Sequence, residues 1–214
     1  MGNEVSANFE LFNNAASNNQ KFIADELKWL LVPGSRVLEI GSGSGQHAVY
    51  FVNHLKEVNW QPADKEPYFG ALERNLKRIS LSGLEKPIYL DVAKFAIAGK
   101  FDAVFCANVT HIISADLIPS ITAGAANLLD DGGLFILYGP YKYRGAFTTE
   151  SNAKFDEWLK ARDVRSGIRD IEVVQAEAET QRLELIEDIP MPANNRLLVF
   201  RKLSENHDVS NSGF

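Results

Sequence analysis

Three glycines spaced two apart, Gly41, Gly43 and Gly45, separate an apolar run from the start of a helical pattern. Val37, Leu38 and Ile40 suit a buried strand. The glycines let the chain turn sharply and bring bare backbone close to a ligand. From Gln46, the residues His47-Ala48-Val49-Tyr50-Phe51 read as a helix start. A strand, a glycine turn and a helix N-terminus form a corner whose backbone N–H groups face a nucleotide-like group. The spacing is G-x-G-x-G, not the G-x-G-x-x-G of dinucleotide sites, and Glu39 stands two residues before it. A carboxylate there favours a ligand carrying positive charge over one carrying phosphates. S-adenosylmethionine, with an ammonium and a sulfonium, is such a ligand. The plainer alternative is a tight turn with no ligand.

More polar residues follow at regular intervals. Asp64 comes 19 residues after Gly45, Asp91 and Asn108 come later, and His111 lies three residues past Asn108. One carboxylate can hold two ribose hydroxyls, which is the use Asp64 suggests. Asp91 is placed to accept from an adenine amino group, and Asn108 to meet the methionine part. Each has a bland alternative: a helix cap for Asp64, a loop acid for Asp91 and a turn residue for Asn108. His111 is a candidate general base near neutral pH, or a structural histidine. Cys106, inside an apolar run, reads as a small core residue.

These residues act together only if a fold brings them together. Apolar runs at about 36–40, 57–61, 87–90, 101–107 and 134–138 alternate with helical patterns at about 46–55, 67–81 and 115–129. That rhythm predicts a parallel sheet covered on both faces. A further helix is expected from Ser17 to about Leu31. Leu183–Ile189 and Leu197–Lys202 read as two antiparallel strands joined by Pro190-Met191-Pro192-Ala193-Asn194-Asn195. The expected fold is α/β, a Rossmann-like three-layer sandwich with a seven-stranded, mostly parallel sheet and a C-terminal antiparallel hairpin. In such a sheet ligands bind beyond the carboxyl ends of the strands. Glu39 and the glycines, Asp64, Asp91 and Asn108 follow four successive strands, so the fold would gather them.

Between 140 and 180 the rhythm breaks. This segment has an aromatic loop (Tyr141, Tyr143, Phe147) and a helix starting near Ser151. It carries seven basic against five acidic residues over 140–170. A solvated helix face explains that balance, and a pocket for a small anionic substrate is the sharper alternative. Tyr141, Tyr143 and His111 are the candidate proton acceptors. Arg144, Asn152 and Asn195 are candidates to hold a substrate's polar groups. Tyr138 and Lys142 match a Tyr-x-x-x-Lys pair, but Gly139-Pro140 between them rules out a shared helix face, which disfavours a nicotinamide oxidoreductase.

The 214 residues suit one domain, expected over 17–202, with 1–16 as an N-terminal segment or lid and 203–214 as a disordered tail. Net charge is −6 with pI near 5.3. That disfavours a broad nucleic-acid surface, which needs clustered Lys and Arg. No run of about 18 apolar residues suggests a membrane span. Met1 to Gln20 lacks a signal-peptide pattern. A single cysteine fits a reducing, cytoplasmic setting. No metal site is expected.

Val37–Gly139 resembles the core of a class I S-adenosylmethionine-dependent methyltransferase. More narrowly, the chain is similar to a small, largely uncharacterised methyltransferase-like family of bacteria and animals. The stretches that carry this are Gly41-Ser42-Gly43-Ser44-Gly45-Gln46-His47-Ala48, Trp60-Gln61-Pro62-Ala63-Asp64, Gly139-Pro140-Tyr141-Lys142-Tyr143, Phe147-Thr148 with Ser151-Asn152, and Met191-Pro192-Ala193-Asn194-Asn195. The resemblance implies S-adenosylmethionine as cofactor, held by Glu39, Gly41, Gly43, Asp64, Asp91 and Asn108. Their neighbours Ser42, Gly45, His47 and Val92 complete the candidate set. It names no catalytic residue. Asn108-Val109-Thr110-His111 stands where amino methyltransferases carry Asn-Pro-Pro-aromatic, which turns the expectation from nucleobase amines towards a small-molecule acceptor. A cofactor-binding protein without catalysis and a protein or RNA methyltransferase are the alternatives.

Overall fold

The computed structural model describes residues 8–204. The expectations for 1–7 and 205–214, part of the lid and most of the tail, lie outside the described residues. The elements run α1 (Asn14–Leu30), β1 (Arg36–Ile40), α2 (Gln46–His54), β2 (Asn59–Asp64), α3 (Phe69–Leu76), β3 (Ile88–Tyr89), β4 (Phe101–Ala107), α4 (Ile118–Leu128) and β5 (Leu129–Gly139). Then come β6 (Tyr141–Tyr143), β7 (Ala146–Phe147), α5 (Glu150–Arg162), β8 (Arg169–Asp170), α6 (Ile171–Thr180), β9 (Leu183–Met191) and β10 (Asn195–Lys202).

Seven strands form one sheet in the order β3-β2-β1-β4-β5-β10-β9. The first five run parallel, and β10 returns antiparallel to both β5 and β9. This is the expected fold. Side chains alternate across the sheet with a period of two, so neighbours on a strand serve different cores. Leu38, Ile40, Val104, Cys106, Phe135 and Leu137 pack with α4 and α6. Val37, Ala103, Phe105, Ile136 and Tyr138 pack with Ile23, Ala24 and Leu27 of α1 and Phe51 of α2. Truncating a fully buried residue such as Leu27 to Ala costs about 2–5 kcal/mol by the cavity it leaves.

Two local expectations shift. Helix α1 begins at Asn14, capped by the Asn13 side chain, and not at Ser17. The Ser17 hydroxyl instead accepts from Gln46 Nε2 at 2.9 Å. Residues Asp130–Gly133, which separate the helical pattern ending near 129 from the apolar run at 134–138, lie within β5 beside a register shift between Phe101 and Ala103. The 140–180 segment adds a three-stranded sheet, β7-β6-β8, that the sequence pattern does not announce.

Candidate functional site

The glycine turn is stitched to the end of β2. Gly41 N and Ser42 N both donate to Ala63 O, at 2.9 and 3.0 Å. The Ser42 hydroxyl accepts from Ala63 N at 3.0 Å and donates to Glu39 O at 3.3 Å. Gly41 has φ +74, and a Cβ there would lie 2.4 Å from Val109 Cγ2, so only glycine fits. The turn ends at Gly45, whose left-handed backbone starts α2.

A cleft of about 240 Å3 opens above this turn. Gly41, Ser42, Gly43 and His47 line it with Asp64, Lys65, Asn108, Val109 and Ile112, and the cap residue Asn13 and Ala16 of α1 close it. The ends of β1, β2 and β4 therefore meet there. Asp64 is 8% exposed. Its Oδ2 accepts from Gly43 N at 2.7 Å and its Oδ1 from Lys65 N at 2.8 Å. Burial holds its pKa above the usual carboxylate value, against those two donors. A carboxylate has about four acceptor positions, so two remain for ligand hydroxyls. Asn108 sits at φ +58 with its N–H bonded to Tyr138 O. That left-handed backbone at a strand end is the kind of strain ligand sites store.

Other candidates stand elsewhere. Glu39, 1% exposed, does not line the cleft. Trp60 Nε1 donates to it at 3.0 Å and His47 Nδ1 lies 3.7 Å away, so it orients the cleft-lining histidine from behind. His47 Nε2 bonds Asn19 Oδ1 at 2.7 Å. Gly45 packs against Leu72 and Leu76, and Val92 belongs to the α4-side core. Asp91 caps a short helical turn through Ala93 N at 3.1 Å and pairs with Lys65 Nζ at 3.3 Å. It touches the cleft only through that lysine.

On the substrate side the structure corrects several expectations. Tyr141 has no exposed surface, faces the core that includes α4 and α6, and pairs with Thr110 Oγ1 at 3.3 Å. Burial pushes its hydroxyl well above the usual phenol pKa, so it is no base. Tyr143 donates to Asp188 Oδ2 at 2.7 Å, and burial with that carboxylate also raises its pKa. Arg144 sits in the β6–β7 turn, its N–H held by Glu172. Asn152 is buried and donates to Thr148 Oγ1 and Asn194 O, fixing α5 to the β9–β10 turn. Asn195 bonds Pro192 O at 3.1 Å.

His111 is 3% exposed, and its Nδ1 is a buried atom with no hydrogen-bond partner. Burial, then the Arg169 charge, push its pKa down to about 4. Its loop is clamped from the 140–180 segment. Gly167 N donates to His111 O, Ser166 Oγ to Ile112 O, and Arg169 to Thr110 O and Ile113 O.

The N-terminal stretch carries a fastening that no sequence pattern announces. Gln46 Oε1 accepts from Asn13 N at 2.6 Å, while its Nε2 donates to Asn13 O at 3.2 Å. Asn75 treats Glu10 the same way, accepting at 2.9 Å and donating at 3.0 Å. The signal was there in Gln46 beside the glycines, but its partner lay 33 residues away. Among the described residues no group of three or more His, Cys, Asp and Glu is placed to hold a metal, and no helix is long and apolar enough to cross a membrane.

A family model described as "Protein of unknown function (DUF938)" matches residues 10–202. A ribosomal protein L11 methyltransferase of Symbiobacterium thermophilum is 30% identical over 133 residues, which is 62% of this chain and 40% of that protein. The structure of the mitomycin 7-O-methyltransferase MmcR superposes with TM-score 0.75 at 15% identity, over 88% of this chain and 54% of that one. An O-methyltransferase from neocarzinostatin biosynthesis, in complex with S-adenosylmethionine and 2-hydroxy-5-methyl naphthoic acid, gives 0.72 at 14%, over 88% and 55%. The chain thus spans less than half of the curated relative and just over half of these structures, with which it shares a fold.

Proposed function

Because the chain belongs to the family of that model, and its fold is that of class I methyltransferases, we propose that it is an S-adenosylmethionine-dependent methyltransferase acting on a small molecule. The observation that carries this is the cleft itself: a glycine turn, an acceptor carboxylate on Gly43 and a strained Asn108, at the carboxyl ends of β1, β2 and β4. Asp64 holds the two ribose hydroxyls. Gly41 and Gly43 bring backbone close to the methionine part, and Asn108 and His47 bound it. The cofactor supplies a methyl group made labile by its sulfonium, so the chain's task is to place an acceptor in line behind that methyl. A small molecule is supported by the naphthoic acid in the neocarzinostatin enzyme. We place the protein in the cytoplasm, in keeping with its single, buried Cys106.

Calorimetry tests the cofactor. S-adenosylmethionine and S-adenosylhomocysteine should bind with micromolar affinity and NAD should give no heat. NAD binding without S-adenosylmethionine binding would overturn the proposal. The relative's name favours one second reading, a protein acceptor. Labelled methyl groups appearing on a protein band in a cell extract, and not on small molecules, would decide for it.

A further inference from the structure

A second cavity, of about 300 Å3, lies where the C-terminal ends of α1 and α2 meet the loops that follow them. It shares no lining residue with the cleft. Ala16 at the cleft and Leu27 at this cavity are 27 − 16, or 11, residues apart on α1, about 16 Å along its axis. Leu27, Leu31, Pro33, Leu55 and Val58 give it apolar walls. Lys28, His54 and Lys56, all exposed, stand on its rim, and no acidic residue lines it. The two loops are fastened to each other. Gly34 N donates to Glu57 O at 2.8 Å, and Asn59 N to Ser35 O at 2.8 Å.

Two of the three basic residues already have a use. Lys28 and His54 stand in the last turns of α1 and α2, where basic side chains suit the negative helix ends. Lys28 pairs with Asp25 at 2.8 Å, and Asp25 is shared with Lys21. His54 donates from Nδ1 to Tyr50 O at 2.7 Å and stacks on the Tyr50 ring at 3.9 Å, so it is held as a wall. Lys56 is different. It lies beyond the end of α2, and its ammonium has no hydrogen-bond or ion-pair partner among the described residues. Its neighbour Glu57 is not part of the lining.

From this arrangement we propose that the cavity is a second ligand site, that it takes a small monocarboxylate with an apolar body, and that Lys56 holds the carboxylate. The apolar walls call for an apolar body, which gains by leaving water. One unpaired ammonium on the rim answers one negative charge. A phosphate dianion would bring more charge and more acceptor oxygens than a single lysine can meet. An amine would meet Lys56 as a like charge and find no carboxylate in the lining. At about 30 Å3 for each water-sized group, the cavity holds about ten such groups, the size of an eight-carbon fatty acid.

The test uses the full chain and calorimetry, with octanoate as the probe. Acetate offers the charge without the body, and 1-octanol the body without the charge. Octanoate should bind, with both comparison compounds at least about fivefold weaker. These measurements use no cofactor, so they stand apart from the methyltransferase reading. Lys56→Gln changes an exposed side chain, so the fold should hold while octanoate weakens about fivefold and 1-octanol is unchanged. Lys56→Arg keeps the charge and should keep octanoate binding. Saturating S-adenosylhomocysteine should leave octanoate affinity unchanged, because the two sites have no wall in common. No octanoate binding at millimolar concentration, 1-octanol bound as tightly as octanoate, or an unchanged affinity in Lys56→Gln would overturn the proposal. So would displacement of octanoate by S-adenosylhomocysteine, which would put the fatty acid in the cleft.

Discussion

His111 should make the protein's stability depend on pH in a way that can be isolated. In the unfolded chain its pKa is the ordinary 6.5, and in the folded chain it is about 4. Between those values the unfolded state binds more protons than the folded one, so stability falls as pH falls from about 6.5 to 4. Above 6.5 the residue is neutral in both states and contributes nothing. The difference of 6.5 − 4, or 2.5 units, corresponds to about 3 kcal/mol at the acid end. Other groups titrate in the same range, so the assay is a difference. Urea unfolding of the wild type and of His111→Gln is followed from pH 7 to pH 4. The wild type should lose about 3 kcal/mol more than the variant. Parallel curves would show that the imidazole is not shut away from water.

Asp64→Ala should weaken S-adenosylhomocysteine binding by about 1.5–3 kcal/mol, since it unpairs ligand hydroxyls and Gly43 N–H together. An unchanged affinity by calorimetry would leave Asp64 as a loop fastener only. Tyr141→Phe should cost about 1 kcal/mol of stability through its bond to Thr110 and leave methyl transfer unaffected, and a large loss of turnover would restore a direct role. Gly41→Ala should reduce cofactor binding and lower the melting temperature, because φ +74 and Val109 both oppose a Cβ. Gln46→Ala should speed S-adenosylhomocysteine release in stopped-flow measurements, since α1 loses its tie to the glycine turn. Equal release rates would separate the tie from the cleft.

The sheet and the glycine turn were legible because period and punctuation are local signals. Val37–Ile40, Gly41 and the strand end before Asn108 lie where the pattern puts them, while β2 runs three residues past the expected 57–61 and ends on Asp64 itself. The roles of buried polar residues were not legible. Nothing local separates Glu39 facing the cleft from Glu39 behind His47, since the choice depends on Trp60 in the next strand. Tyr141 reads as a candidate proton acceptor in an aromatic loop, yet its three-residue strand pairs with Arg169 and buries the ring. Strands of two or three residues carry no periodicity, so β6, β7 and β8 left no trace. His111 was visible as a residue type, but its clamp came from residues more than 50 positions later.

The two amide side chains that hold the N-terminal stretch meet Glu10 and Asn13 through main-chain atoms alone, and Gln46 adds one side-chain bond to the Ser17 hydroxyl. At positions 10 and 13 such a fastening is blind to what the held residues are and sensitive to how many lie between them. Relatives should therefore vary freely at positions 11 and 12 while keeping their number fixed. Leu11, exposed and at φ +55, should even accept glycine. Removing one residue there shortens the reach by up to about 3.5 Å, more than a hydrogen bond can stretch, so one of the two ties must be lost.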